Sequence, residues 1–105
     1  MRRGEVWWAD LPSPAGYRPV VLLSRDLAYQ IRRFVTVAPV TTRRRDIPSE
    51  VGLGPEDGLQ QPSVVNLDTI NTIPKASLRE RIAILSLEKL GEVETAIHIA
   101  LGLEK

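Results

Sequence analysis

The chain has 105 residues, room for one core and a single domain over 1–105. With 43% hydrophobic and 26% charged residues it is an ordinary folded protein by composition. The lack of cysteine excludes disulfides and thiolate metal sites, and one histidine excludes a multi-histidine metal centre within one chain. The net charge of +1 hides an asymmetry. Residues 1–48 carry nine arginines against four acids, whereas residues 49–105 carry five cations against nine acids. That predicts a basic face suited to nucleic acid. No apolar run approaches the roughly 20 residues that span a bilayer, so no membrane association is expected. Met1-Arg2-Arg3 is basic, but Glu5 and Asp10 interrupt the apolar stretch after it. It does not read as a secretory signal, and a cytoplasmic protein is expected.

Glu5 to Asp10 reads as a first strand, with Trp7 and Trp8 on opposite faces. One tryptophan fits a core; the other packs under a helix or sits at an interface. Leu11 to Gly16 holds two prolines and a glycine and reads as a loop. Arg18 to Ser24 is a dense apolar run, the pattern of a central strand. Asp26 is placed to cap a short helix through about Arg32. Phe34 to Val40 alternates as a third strand, which Pro39 is expected to end or bulge because it lacks a ladder donor. Arg43 to Pro48 is a basic loop, Glu50 to Leu53 a weak strand, and Gly54 to Gln61 a loop. Ser63 to Ile70 and Ile82 to Leu85 read as two more strands. Ser86 then caps a final helix whose apolar positions Leu90, Val93, Ile97 and Leu101 recur at helical spacing. Gly102 stops it, with Leu103 folding back. The sum is a mainly β fold with a C-terminal helix: a small antiparallel sheet, partly rolled into a barrel.

Two segments carry chemistry. In Gly16-Tyr17-Arg18-Pro19, Pro19 fixes its own φ and pushes Arg18 toward an extended backbone. An arginine delivered this way to the mouth of a buried strand is suited to gripping phosphate. Thr41-Thr42-Arg43-Arg44-Arg45 adds hydroxyls and positive charge. Together they point to a phosphodiester site, with Arg43, Arg44 and Arg45 contacting phosphates next to it or simply forming a solvated loop. Arg32 and Arg33 are open between the same two roles. Tyr17 either stacks on a base or closes its turn. Asp68 and Asn71 read base edges, unless Asp68 pairs with an arginine. His98, flanked by Ile97 and Ile99, reads as a packing or surface residue.

The chain resembles the MazF/PemK family of toxin endoribonucleases from toxin–antitoxin pairs. The resemblance begins with Arg3-Gly4-Glu5-Val6 and continues with Arg18-Pro19-Val20-Val21-Leu22-Leu23-Ser24. It then takes in Pro39-Val40-Thr41-Thr42, the stretch Ser63 to Ile73 and Leu101-Gly102-Leu103, in the family's order. It implies a compact SH3-like, CcdB-like β-barrel, usually a homodimer. It also implies cleavage of single-stranded RNA without a metal or other cofactor, and a cognate antitoxin that covers the RNA groove. Arg18 matches the family's catalytic arginine and Thr41 its catalytic threonine. Pro12 to Tyr17 is shorter than the family's usual loop. Thr69 stands where the family has a base-contacting glutamine.

RNA supplies its own nucleophile, the 2′-OH, so the implied products are a 2′,3′-cyclic phosphate and a 5′-OH. Arginine is a poor general base; Arg18 suits stabilisation of charge on the phosphorane, and Thr41 suits orientation of a phosphate oxygen. Two rival readings are a non-catalytic toxin of the same fold that binds a protein such as gyrase, and a non-cleaving RNA-binding barrel. The CcdB-like mode relies on a Trp-Gly-Ile-type end, whereas this chain finishes Leu103-Glu104-Lys105.

Overall fold

The computed structural model describes residues 1–103; Glu104 and Lys105, part of the argument against a CcdB-like mode, lie outside the described residues. Seven strands run in chain order: β1 (Glu5–Asp10), β2 (Tyr17–Leu22), β3 (Phe34–Thr41), β4 (Glu50–Leu53), β5 (Ser63–Asn66), β6 (Asn71–Pro74) and β7 (Leu78–Ile84). A single-turn helix α1 (Ala28–Ile31) follows β2, and α2 (Leu87–Ala100) closes the fold. The sheet order is β4-β5-β3-β2-β1-β7, every pair antiparallel, with β6 on β3 beside β5. The mainly β architecture with a C-terminal helix is as the sequence predicts. The sheet, however, is open rather than closed into a barrel: β4 and β7 each have one strand neighbour and do not meet.

Alternation along β1 to β3 splits the apolar side chains between the two faces of the sheet. Val6, Val21, Ala38 and Val40 join Val51, Leu53 and Val65 under α2, which contributes Val93 and Ala96. On the other face Ala9, Val20, Leu22, Val35 and Val37 pack with Tyr29 of α1, Ile73 and Leu78. Burial pushes the Tyr29 phenol up to about 12. Ser86 caps α2 as predicted, its hydroxyl accepting from the Lys89 N–H at 3.0 Å. Gly102, at φ +67°, ends the chain's last turn, and the Leu103 N–H returns to the His98 carbonyl at 2.8 Å. Leu101 lies just past the helix and stays 59% exposed, so it does not extend the apolar stripe. Among the described residues no helix is long and apolar enough to cross a membrane.

Four local expectations are corrected. Asp26 does not cap α1; its carboxylate accepts the Arg3 N–H at 2.7 Å, tying the start of the chain to the β2–α1 turn. Pro39 neither ends nor bulges β3, which pairs Pro39 with Val20 and runs on to Thr41. Pro39 lies in the gap where the other edge of β3 passes from β6, paired through Val37, to β5, paired from Val40. The missing donor falls where that ladder is already interrupted. Ser63 to Ile70 is not one strand. Asn66 accepts the Asp68 N–H at 2.9 Å, turning the chain through a 3-10 turn at Leu67–Thr69 into β6. Finally, β7 starts at Leu78, four residues earlier than the apolar run indicates, because its β1 partner fixes its extent rather than its own burial.

Candidate nucleic-acid interface

Val20, Val21 and Leu22 are fully buried and fix β2 in the sheet; burial of each is worth about 1.5–3 kcal/mol. Two residues before this anchor, Arg18 stands at the mouth of the strand. The preceding loop is closed on itself by Ala15 N–H to Pro12 O at 3.1 Å and Leu11 N–H to Gly16 O at 3.1 Å. Gly16 turns it at φ +68°, a conformation suited to glycine. The Arg18 Nε donates to the Ala15 carbonyl at 2.9 Å. Among the described residues Arg18 forms no ion pair. Its guanidinium is thus oriented by a neutral backbone group and keeps its remaining donors for an anion.

Arg18 lines a cleft of about 220 Å³ whose wall includes Pro39, Thr69 and Asn71. The structure therefore gathers three of the predicted site residues at one place. Thr41 is the last residue of β3, and its hydroxyl accepts the Arg43 N–H at 3.1 Å. Counting two residues along each strand from the Val20–Pro39 pair reaches Arg18 on β2 and Thr41 on β3. Strand alternation puts that pair on one sheet face, at one end. Thr41 nevertheless opens, with Thr42, into a second cleft of about 220 Å³ that also takes in Trp8 and Pro19. The two clefts share no lining residue.

The basic loop is already partly compensated. Arg44 Nε lies 3.3 Å from Asp46 Oδ1. Arg45 lies 3.9 Å from the buried Glu50 carboxylate, which also accepts the Arg45 N–H at 2.9 Å. Arg43 has no ion pair among the described residues and is exposed. Asp68 accepts from Ser49 Oγ at 2.6 Å instead of pairing with an arginine. Tyr17 is 56% exposed and stacks on Trp8, centroids 5.0 Å apart and rings 4° from parallel. Trp7, on the other face, packs against the Tyr29 side of the core and donates to the buried Glu5 at 2.8 Å. Glu5 also faces Arg81 at 3.5 Å. Arg32 and Arg33 precede β3 while Thr41 ends it, a separation of about 26 Å at ~3.3 Å per residue; they do not join the clefts. His98 is exposed on α2, away from both clefts.

Neither Trp8 as a site residue nor the Ala15 carbonyl as an anchor is legible from the residues alone. The one sign of Trp8 in the sequence is its place on the strand face opposite Trp7.

A family model described as "PemK-like, MazF-like toxin of type II toxin-antitoxin system" matches residues 2–101. The chain belongs to this family. It is similar to the probable endoribonuclease MazF5 of Mycobacterium tuberculosis (strain ATCC 25618 / H37Rv), 41% identical over 99 residues, 93% of this chain and 90% of the relative. It is also similar to the endoribonuclease MazF of Staphylococcus saprophyticus subsp. saprophyticus, 39% identical over 112 residues, 98% of this chain and 92% of that protein. Among solved structures, the M. tuberculosis toxin MazF-mt6 superposes with a TM-score of 0.88 at 35% identity, covering 96% of this chain and 99% of the other. A mycobacterial endoribonuclease in complex with its cognate antitoxin gives 0.90 at 31% identity, covering 100% and 98%. The open, seven-stranded MazF-like sheet is thus the frame that carries Arg18 and Thr41.

Proposed function

We propose that this chain is an endoribonuclease toxin that cuts single-stranded RNA in a sequence-selective, metal-independent way. The observation that carries the reading is Arg18: a guanidinium held by the Ala15 carbonyl, without a carboxylate partner among the described residues, in a cleft with Thr69 and Asn71. The relatives named endoribonuclease supply its chemical context.

In this mechanism the ribose 2′-oxygen attacks the adjacent phosphorus in line. A new O2′–P bond forms and the P–O5′ bond breaks. A water molecule accepts the 2′-hydroxyl proton, and solvent returns one to the departing 5′-oxygen, giving the 5′-OH. Arg18 binds the non-bridging oxygens as negative charge grows on them, a contribution of several kcal/mol in a partly dry cleft. Thr41, on the same face and end of the sheet as Arg18, donates its hydroxyl proton to a phosphate oxygen while its own oxygen accepts the Arg43 N–H. Thr69 and Asn71 contact the flanking nucleotide, and Arg43 to Arg45 steer phosphates by charge. DNA, lacking the 2′-OH, is spared. The protein works in the cytoplasm as a homodimer, two-fold pairing being the commonest way to cover exposed sheet surface. A cognate antitoxin silences it, as the complex of the mycobacterial neighbour suggests.

The test is incubation of the purified protein with a long RNA in EDTA, followed by mapping of the fragment ends. Cuts at a short recurrent sequence, ending in cyclic phosphate and 5′-OH, are expected. Intact RNA in the presence of folded protein overturns the proposal.

A further inference from the structure

We propose that Trp8, Tyr17, Gln60 and Gln61 form a base-binding subsite that sets sequence preference next to the cut; this rests on the RNA-cleaving reading above. The stacked Trp8–Tyr17 pair is a preformed platform. Its rings are parallel within 4°, and Tyr17 keeps 56% of its surface open. An unpaired base adds to such a stack whatever its identity, because every base has a π-face. The cleft beside Trp8, about 220 Å³, is smaller than a drug-sized pocket and suits one base.

Selectivity needs polar groups on the wall, and the cleft has them. Gln60 and Gln61 line it. Neither side-chain amide has a hydrogen-bond partner among the described residues. Each offers a donor and an acceptor, the pair that reads a base edge. Both project from a rigid root. Leu59 is buried, and the Gly54 N–H donates to Asp57 at 2.9 Å. Lys89 of α2 donates to the Gly52 carbonyl at 3.0 Å and faces Asp57 at 3.8 Å. Gly58, at φ +93°, lies so close to β7 that an added Cβ would sit 2.7 Å from the Ala83 Cβ.

The cleft continues through Thr42 and Ser63 into a concavity of about 480 Å³ that contains Arg44. A strand whose base enters beside Trp8 therefore meets a cation for its next phosphate. Aromatic rings, free amides and an arginine in that order favour a nucleotide over a peptide side chain.

The experiment uses the full chain with Trp7→Phe, which leaves Trp8 as its one tryptophan, and a target RNA 2′-O-methylated at the mapped cut. Quenching of Trp8 emission on binding is expected. Tyr17→Leu is expected to weaken that binding about tenfold. Gln60→Ala combined with Gln61→Ala is expected to flatten the base preference in kcat/KM at one position flanking the cut, about tenfold. Unchanged emission together with unchanged preference at every position overturns the subsite, as does a loss confined to antitoxin binding. The two proposals fail separately. A folded wild type that leaves RNA intact sinks the nuclease reading, whereas Arg18→Ala is expected to lose cleavage and retain the Trp8 quench.

Discussion

Arg18 and Arg44 are both arginines beside a concavity, yet they are held in opposite ways. Arg18 is fixed by a neutral carbonyl three residues back. Arg44 leans on the Asp46 carboxylate, and its neighbour Arg45 on Glu50. A carbonyl orients a guanidinium without cancelling its charge, whereas a carboxylate offsets part of what an incoming phosphate would feel. Positive charge counted along the chain therefore overstates the basic loop and understates the single residue at the mouth of β2. The supporting cores differ as well: Val20 and Val37 beside Arg18 belong to the Tyr29 cluster, while Val40, next to Thr41, belongs to the cluster under α2.

The largest expected effect is at the uncompensated residue. Arg18→Ala should lower kcat by about 10²–10³, the usual loss when one oriented charge-stabilising donor is removed, with circular dichroism and thermal unfolding unchanged. Wild-type turnover in that variant would place the critical cation elsewhere. Next comes the core behind it. The Tyr29 phenol holds its proton to about pH 12 in the fold and to about pH 10 in the unfolded chain. Its contribution is complete below pH 10 and drains away as pH rises from 10 through 12, about 3 kcal/mol in all. Denaturant titrations at pH 9 and pH 11 should show about half of that fall, and Tyr29→Phe should flatten it. A steep fall persisting in the phenylalanine variant assigns it to another group.

Smaller effects sharpen the contrast from the Thr41 side. Thr41→Val removes one neutral hydrogen bond, worth about 1 kcal/mol, so single-turnover cleavage should slow five- to tenfold. Asp46→Asn deletes the counter-charge on Arg44 while keeping a residue type that tolerates the left-handed backbone at φ 55°. RNA affinity should rise two- to threefold, with a steeper salt dependence. An unchanged slope means that Arg44 does not face phosphate.

Most of the frame is legible in the sequence because apolar patterning is a local signal. β1, β2, β3 and the Ser86-capped α2 each announce themselves within a few residues. The misses arise where a single polar side chain decides, whether its partner is near or far. Val64, Val65, Leu67 and Ile70 read as one strand, and only the Asn66 side chain, accepting two residues ahead, breaks it. Asp26 has the right chemistry for a cap, but the Arg3 amide reaches it from 23 positions away. Arg18 stands out through its Pro19 neighbour and its buried strand. Compensation of Arg44 and Arg45, and the Trp8–Tyr17 stack, depend on register and turn geometry that no spacing along the chain encodes. The paired glutamines look like any polar loop until Gly58 and Lys89 are seen to brace them.

That bracing separates foundation from lettering. Between Gly54 and Leu59 the turn is held by the Gly54 N–H on Asp57, by Lys89 facing Asp57 and by the missing side chain against Ala83. The side chains of residues 60 and 61 carry no such obligation. Exchange of those two positions is thus a route by which one scaffold acquires new cutting addresses without renegotiating its fold.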